Sequence, residues 1–432
     1  MAGSLQEVAL YTTTERPKRH RKNSFNGRHS LLLNTNKIRR RNNTTFSKES
    51  HWACLPEDLL VLILDRLVTL SDYVRFSAVC RPWHAVALEN YYGERRLKLS
   101  LHQPPLLFLT HTHPSKGETT IGIHCVSQNK TYELKSFLPR GSKRWFGSSH
   151  GWLITVDKNF VITLSNPFCF DGIIYLPPVL HRNGLHIHKV ILSADPIVAP
   201  DDYTVMVIYI DGLAPDELAF IRPGDKGWTY IESGPVTDVI YSKGLFYTLY
   251  MFGSVQTLDI SQHCPKLNMV SPNCNFTASS LEKNYIVESA GGDILKFVRI
   301  LDTVNDELPP RAVTKEFKVF KLLVLNGKKK WVETKELNVL ADGALFLDDS
   351  TSTYVPASDI LGCHPNSIYF VDHWVPGYAH PADVRPSTPC DMGIFHLRDG
   401  SFQWHCVSKF LSSPESMSLP IWIQPTFRGK RA

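Results

Sequence analysis

Residues 54–67 read CLPEDLLVLILDRL, and eight of these fourteen positions are leucine, isoleucine or valine. Pro56 suits the first turn of a helix, where its missing N–H would have no partner, and Glu57 and Asp58 complement the positive end of the helix dipole. Apolar residues occupy one helical face, Leu59, Leu62, Ile63 and Leu67, and also the other sides, Leu60, Val61 and Leu64. The stretch therefore predicts a helix with more apolar surface than one buried face requires.

Two more short helices are predicted directly downstream. Ser71 is a good N-cap for a second helix running from Tyr73 towards Val79, and a third helix follows Arg81 with Pro82 in its first turn. Three short helices cannot build a large core by themselves. The surplus apolar surface of the first helix therefore indicates a protein partner, because its hydrophobic run is stopped by Asp65 and is far shorter than the ~20 residues of a membrane helix.

After about residue 100 the pattern changes to short strands separated by Gly, Asn, Asp and Pro. A strand, a polar turn and a second strand near a tryptophan recur at residues 218–232, 317–337 and 393–407. Such hairpins are typical of a β-propeller, and a blade period of about 40–50 residues predicts roughly six or seven blades. The irregular spacing leaves a pair of β-sandwiches open as the alternative.

The net charge of +6 over 432 residues is unevenly placed. Residues 1–50 contain 11 Lys/Arg and 3 Asp/Glu, whereas the remainder contains 36 and 38, which argues against a broad nucleic-acid-binding face on the body. The tail lacks hydrophobic periodicity and is expected to be disordered. Its two basic clusters suit nuclear import or nucleic acid, with a merely solvated tail as the alternative: Arg16, Lys18, Arg19, Arg21, Lys22, Lys37, Arg39, Arg40 and Arg41.

The composition, with 43% hydrophobic and 20% charged residues, is that of an ordinary globular protein. Nine cysteines with no C-x-x-C pair predict reduced thiols rather than a disulfide framework. The N-terminus has no secretory pattern. We expect a protein of the nucleus and cytoplasm, with no membrane partner.

No motif carries catalytic or metal chemistry. Ser149 and His150 are adjacent but lack the nucleophile-elbow pattern, so we expect a tight turn at Gly151 leading into a buried Trp152. His186 and His188 would share one strand face, yet a zinc site needs more ligands, and we interpret them as surface residues. Other candidates are interpreted as core, Trp228, Trp331 and Trp404, or as solvated turns, Asp348, Asp349 and Asp359. We predict no catalytic residue, no metal and no cofactor.

The helical segment closely resembles an F-box: Leu-Pro, a leucine-rich helix, a spacer, then Val-Cys-Arg-x-Trp. The matching residues, in order, are Leu55, Pro56, Val79, Cys80, Arg81 and Trp83. The region beyond is similar to the plant F-box proteins that carry the kelch-like domain of unknown function 295, through SSHGWLITVDK (148–158), LAFIRPGDKGWTYI (218–231), IYFVDHW (368–374) and PIWIQPTF (420–427).

This resemblance implies a small all-α F-box of three helices followed by an all-β domain, a six- or seven-bladed kelch-like β-propeller. The implied ranges are a basic tail (1–51), the F-box (52–95), a connector (96–105), the propeller (106–427) and a basic end (428–432). The implied function is the non-catalytic substrate-recognition subunit of an SCF ubiquitin ligase, which binds a Skp-family adaptor and, through it, a cullin and a RING protein, while the propeller holds an unknown target for proteasomal degradation.

Eight residues would share the tasks of closing the helical unit and of binding the adaptor: Leu55, Pro56, Leu59, Ile63, Leu67, Val79, Cys80 and Trp83. Three alternatives stay open at this point. The helices could pack only on their own β domain, or the basic tail could make the chain a nuclear nucleic-acid-binding or regulatory protein outside any ligase. A propeller enzyme is the least favoured alternative, because no convergent motif supports it.

Overall fold

The structure is a computed structural model. It describes residues 51–67, 69–90, 103–112, 119–126, 129–134, 144–168, 172–179, 185–211, 217–261, 265–272, 281–304, 311–325, 328–334, 339–350, 352–360, 362–372, 391–404 and 420–426. The basic tail up to residue 50, with the nine residues predicted to direct nuclear import, lies outside the described residues, as do most of the connector and the basic end at 428–432.

Three α-helices open the described chain: α1 (Glu57–Asp65), α2 (Leu70–Ser77) and α3 (Arg81–Glu89), preceded by a 3-10 turn at His51–Cys54. Pro56 precedes α1 as its N-cap residue, and α3 begins at Arg81 as the sequence predicts. The predicted N-cap of α2 at Ser71 is wrong, because the Asp72 N–H donates to Thr69 Oγ1 at 3.2 Å, and this hydroxyl donates to Asp72 Oδ2 at 2.7 Å. Thr69 caps the helix because it has an acidic residue three positions later.

Six sheets follow the helices. Blade 1 contains β1 (Leu106–Thr112), β2 (Thr119–Cys125), β3 (Lys130–Leu134) and β25 (Ile421–Ile423). Blade 2 contains β4 (Arg144–Ser149), β5 (Trp152–Val156), β6 (Val161–Ser165) and β7 (Ile173–Pro178). Blade 3 contains β8 (Leu185–Leu192), β9 (Val205–Asp211), β10 (Glu217–Ile221) and β11 (Thr229–Ile231).

Blade 4 contains β12 (Val236–Ser242), β13 (Leu245–Tyr250), β14 (Val255–Asp259) and β15 (Lys266–Ser271). Blade 5 contains β16 (Glu282–Glu288), β17 (Ile294–Val304), β18 (Arg311–Leu325) and β19 (Lys328–Thr334). Blade 6 contains β20 (Gly343–Leu347), β21 (Ser352–Pro356), β22 (Ser367–Asp372), β23 (Asp391–His396) and β24 (Phe402–Trp404).

The six sheets are the blades of a six-bladed β-propeller, which confirms the predicted architecture and excludes the pair of sandwiches. The three tryptophan-containing repeats are the outer hairpins of blades 3, 5 and 6, namely β10–β11, β18–β19 and β23–β24. Their spacing is irregular because blade 6 has a fifth strand, with β20 lying between antiparallel β21 and parallel β22.

Burial divides the three repeat tryptophans. Trp228 lies in the core between blades 2 and 3, and Trp331 is half-buried between blades 4 and 5. Trp404 is 54% exposed, so its assignment to the core is wrong. It lies on the outermost strand of blade 6, where its ring stacks on Phe402 at 5.0 Å and meets Phe370 edge-on at 6.0 Å.

Strand β25 closes the ring by pairing with β1, so blade 1 is built from both ends of the propeller sequence. Trp422 in β25 is almost fully buried. Its backbone N–H donates to Asp348 Oδ2 at 2.8 Å and its indole N–H donates to the Leu347 carbonyl at 3.1 Å, both in blade 6. The prediction that Asp348 is a solvated turn residue is therefore wrong, since its carboxylate joins blades 6 and 1.

Each of the other blade junctions has its own polar contact. Ser148 Oγ donates to the Trp422 carbonyl, which joins blades 2 and 1. The Leu192 N–H donates to Ser149 Oγ at 3.0 Å, which joins blades 3 and 2. Lys283 pairs with Asp349 between blades 5 and 6.

Asp238 joins three blades. One carboxylate oxygen pairs with Lys189 of blade 3, and the other accepts the Ile286 N–H of blade 5 at 2.8 Å. Both charged side chains are buried. Since a buried carboxylate is stable only when its acceptor capacity is used, this residue fixes the angle between neighbouring blades.

We expect Asp238→Ala to lower the free energy of unfolding by about 3–5 kcal/mol, because it leaves the Lys189 ammonium buried without its carboxylate. Asp72→Ala, which breaks an exposed pair with Arg75, should cost at most about 1 kcal/mol. Urea denaturation of the two variants measures both values.

The double variant Lys189→Met with Asp238→Asn should recover most of the loss, since no buried charge remains and the amide oxygen still accepts the Ile286 N–H. Equal midpoints for Asp238→Ala and Asp72→Ala would contradict the role given to Asp238.

Candidate functional site on the helical unit

The helical unit has a compact core of its own. Its buried members are Leu60, Leu64, Tyr73, Phe76, Trp83, Val86 and Ala87. The rings of Phe76 and Trp83 lie 4.5 Å apart, and the Trp83 indole N–H donates to the Trp52 carbonyl at 2.9 Å. The Tyr73 hydroxyl donates to the Ala87 carbonyl and so ties α2 to α3. Leu60 and Leu64 are the buried residues of α1, Val61 and Ile63 line the edge of the core, and Leu59 and Leu62 remain outside it.

Among the side chains of the unit that the structure describes, four large apolar ones are exposed. The exposed fractions are 64% for Trp52, 45% for Leu59, 58% for Leu62 and 54% for Val79. Leu59 and Leu62 lie three positions apart on the side of α1 opposite Leu60 and Leu64, because successive residues are 100° apart around a helix. An unburied aliphatic face on so small a unit marks an interaction surface.

The structure divides the eight predicted adaptor residues between the two tasks. Pro56, Leu59 and Val79 are exposed, and Leu55, Ile63, Leu67 and Cys80 are half-buried at the edge of the core. Trp83 is 9% exposed, so it closes the helical unit. The adaptor-binding role of the exposed residues stays a prediction.

Two further exposed residues belong with this surface. Leu62 was recognisable in sequence from its spacing to Leu59, which places both on one face. Trp52 gave no such signal, because it precedes the helix and is positioned by the hydrogen bond that its carbonyl accepts from Trp83.

The helical unit packs against the propeller through Phe168, in the turn between β6 and β7. This ring contacts both the helical core and the core of blades 1 and 2. The Phe168 N–H donates to Asn166 Oδ1 at 2.9 Å, and the Asn166 amide donates to Thr426 Oγ1 at 3.0 Å. The unit is therefore held beside the strand that closes the ring.

The propeller motifs that suggested chemistry have structural roles. Gly151 has a φ of +79°, and a Cβ there would lie 2.1 Å from Thr426 Oγ1, so the tight turn into buried Trp152 is confirmed. His188 occupies a bulge in β8, where the register shifts between Ile187 and Lys189. Among the described residues, no three His, Cys, Asp or Glu side chains form a metal site.

One serine–histidine pair that sequence reasoning missed is present in blade 6. Ser367 Oγ lies 2.9 Å from His396 Nδ1, but the hydroxyl also donates to the Pro365 carbonyl, and Ser367 is 0% exposed. A substrate cannot reach this hydroxyl. Nearby, burial raises the pKa of the Cys363 thiol to about 12, so it is present as the unreactive thiol at neutral pH.

Family models match both parts of the chain. The KIB1-4 β-propeller model matches residues 123–396, and the F-box-like model matches residues 52–93. The chain belongs to the KIB1-4 β-propeller family of plant F-box proteins. In this family architecture, an F-box of the kind that binds Skp-family adaptors precedes a propeller, which is the general organisation of an SCF substrate receptor. The described part of the chain has no helix that is long and apolar enough to cross a membrane.

Relatives in Arabidopsis thaliana that are named as F-box proteins match most of this chain. Putative F-box protein At4g22180 is 24% identical, with 74% of this chain and 83% of that protein covered. F-box protein At2g17036 is 24% identical, with 81% and 89% covered. Putative F-box protein At5g55150 is 22% identical, with 87% and 98% covered. The likeness to At5g55150 covers more of this chain than the propeller range 106–427 alone.

Substitutions on the two faces of α1 should differ strongly in how much they destabilise the F-box. Leu64→Ala should destabilise the F-box by about 2–5 kcal/mol, because it opens a cavity in the core. Leu62→Ala, on the exposed face, should change stability by no more than about 0.5 kcal/mol. Thermal unfolding followed by far-UV circular dichroism of the two variants distinguishes these effects, and similar losses in both would contradict the assignment of faces.

Proposed function

We propose that this F-box protein is the substrate-recognition subunit of an SCF-type ubiquitin ligase. Its F-box docks a Skp-family adaptor, which links it to a cullin and a RING protein, and its propeller binds a target protein for ubiquitination and proteasomal degradation. The observation that carries the proposal is the exposed apolar set of the F-box, Trp52, Leu59, Leu62 and Val79, beside a core that is complete without it.

Burial of this set against an adaptor supplies the driving force for docking. Removing one leucine side chain from water stabilises a complex by roughly 1.5–3 kcal/mol. Helical docking of this kind depends on a few apolar anchors at spacings of three and four residues, as Leu59 and Leu62 provide. Acidic Glu57 and Asp58 on the first turn of α1 flank these anchors and add a polar rim.

In this proposal the chain positions the target protein and does not catalyse ubiquitin transfer. Ubiquitin transfer takes place on the partner proteins, and the receptor must hold its target at a fixed distance from them. The Phe168 contact supports this role, because it joins the F-box core directly to the first blades of the propeller. A rigid scaffold that carries variable loops is well suited to binding a protein target.

The double variant Leu62→Asp with Val79→Asp should weaken adaptor binding by at least about thirtyfold, the equivalent of about 2 kcal/mol, because it places two charges in an apolar contact. Isothermal titration with a purified Skp-family adaptor measures the change. The matched control, Ile173→Asp with Val198→Asp, changes two similarly exposed apolar residues of the propeller and should leave binding unaltered.

A second measurement of the same contact needs no substitution. The exposed Cys54 thiol precedes Leu55 and Pro56, so adaptor binding should slow its alkylation by iodoacetamide, as read by mass spectrometry. Unchanged affinity in the double variant together with unchanged Cys54 alkylation would refute docking through this face.

We also propose that the basic tail distributes the protein between nucleus and cytoplasm. Replacing its nine clustered Lys and Arg residues by Ala should shift a fluorescent fusion towards the cytoplasm, because import receptors bind such clusters through their charge. Adaptor affinity should be unchanged. Unaltered localisation would contradict the import role, and loss of a steeply salt-dependent nucleic-acid affinity in the same variant would instead favour a nucleic-acid-binding tail.

A further inference from the structure

The outer hairpin of blade 5 differs from the other outer hairpins in length and charge. Strand β18 has 15 residues and β19 has 7, whereas β11 and β24 have 3 each. Residues 311–334 contain seven Lys/Arg and two Asp/Glu, an excess that the body of the chain as a whole does not have. The hairpin is therefore a local positive feature on a nearly neutral domain.

Within the described part of the chain, two lysines at the hairpin tip have no acidic partner. Near the base of the hairpin, Lys321 pairs with Asp293 at 2.9 Å and Lys318 lies 3.9 Å from Glu316. At the tip, Lys329 and Lys330 are exposed, and no carboxylate of the described residues forms an ion pair with either of them. These two ammonium groups are available to a partner.

Exposed aliphatic side chains stand directly opposite these lysines. The strand register pairs Val324 with Lys329 and Leu323 with Lys330. Val324 is 65% exposed and Leu323 is 37% exposed. Cross-strand neighbours have Cβ atoms about 5 Å apart, so each face of the tip presents one apolar group beside one positive charge.

The face with Val324 continues onto the neighbouring blade. Leu322 pairs with Trp331, and alternate residues of a strand share a face, so Leu322, Val324 and Trp331 lie together. The Trp331 indole N–H donates to the Gly253 carbonyl at 3.0 Å, in the turn between β13 and β14. That turn exposes Met251 and Phe252 beside the tryptophan. We call Met251, Phe252, Leu322, Val324, Lys329 and Trp331 the hairpin shelf.

Packing against blade 4 and neighbouring side chains of blade 5 fixes the position of Trp331 in the shelf. Trp331 packs with Leu249 and Val255 of blade 4, and Lys296 Nζ lies 4.6 Å from the centroid of Phe320 and 5.4 Å from that of Trp331. Because Trp331 is anchored by packing and by a hydrogen bond, its exposed edge offers a preformed contact. A preformed surface binds at a smaller entropic cost than one that must be ordered.

From these observations we propose that the hairpin shelf binds an acidic, hydrophobic linear segment of the target protein. Asp or Glu side chains of the segment pair with Lys329, while its Leu, Ile or Phe side chains pack on Val324, Trp331 and Phe252. Lys330 lies on the opposite face of the hairpin and adds to the positive potential at the tip. This inference rests on the function proposed above and names the class of target. The exposed apolar groups beside Lys329 favour a peptide over a nucleic acid, because phosphate contacts alone would leave Val324 and Met251 without a partner.

The test uses the full chain in complex with its adaptor, immobilised and screened against a display library of short linear peptides. The wild-type complex should enrich peptides that combine Asp or Glu with Leu, Ile or Phe. Val324→Asp, and separately Lys329→Glu with Lys330→Glu, should weaken binding of an enriched peptide by at least about tenfold in fluorescence anisotropy. The charge-reversed variant should instead enrich Lys- and Arg-rich peptides, an outcome that mere loss of folding cannot produce.

A matched control makes the same change in net charge at another place. Lys158→Glu with Lys226→Glu alters two exposed turn lysines of blades 2 and 3 and should keep the wild-type preference. Adaptor affinity and the thermal midpoint should be the same in every variant. An absence of enrichment, or identical enrichment in wild-type and shelf variants, would overturn the proposal.

Two other results would also overturn it. One is salt-dependent binding of a single-stranded DNA oligonucleotide that disappears in the Lys329→Glu, Lys330→Glu variant, and the other is self-association through the shelf in sedimentation. Failure of the wild-type chain to bind the adaptor would refute the proposed ligase function. The peptide screen would then be repeated on the chain without adaptor, so the shelf proposal is tested independently.

Discussion

Closure of the ring by β25 is the constraint on which the rest of the structure depends. A blade buries its two faces only against the blades on either side, so an open ring would expose the faces of the first and last sheets. The three residues of β25 complete blade 1, and Trp422 hydrogen-bonds to blade 6 through both its backbone and its indole N–H. Every other junction has a similar polar contact, so the geometry of one blade constrains that of the next.

The F-box is attached at the point of closure, and this has a consequence for function. Phe168 packs against the helical core on one side and blades 1 and 2 on the other, and its turn is tied through Asn166 to Thr426 just after β25. The F-box, and any adaptor bound to it, is therefore connected to the blades beside the strand that closes the ring. Helices as short as α1 cannot bury all of their leucines internally, and the surplus becomes the surface offered to a partner.

Charge is used in two opposite ways in this chain. Between the blades, Lys189 and Asp238 are buried and fully engaged, so they specify geometry at a considerable desolvation cost. At the tip of the blade 5 hairpin, Lys329 and Lys330 remain in water beside aliphatic side chains, where a charge costs little and stays available. Charged residues that look alike in sequence thus serve the scaffold in one place and recognition in the other, and only burial distinguishes them.

The sequence by itself determined the helical unit and the tryptophan hairpins, because these depend on local periodicity, turn residues and a motif within one short segment. The strand pattern left a propeller and a pair of β-sandwiches open, and the choice between them rested on the family resemblance. The Leu-Pro start and the Val-Cys-Arg-x-Trp ending identified the F-box before any contact was known. Only the tertiary structure decided that Trp83 is core while Leu62 is surface, that Thr69 rather than Ser71 caps α2, and that Asp348 joins two blades. It also decided that Trp404 is exposed and that Trp331 meets Gly253. The physical reason is that burial and pairing across blades depend on residues far apart in the chain, and local pattern carries no information about which distant residue completes a contact.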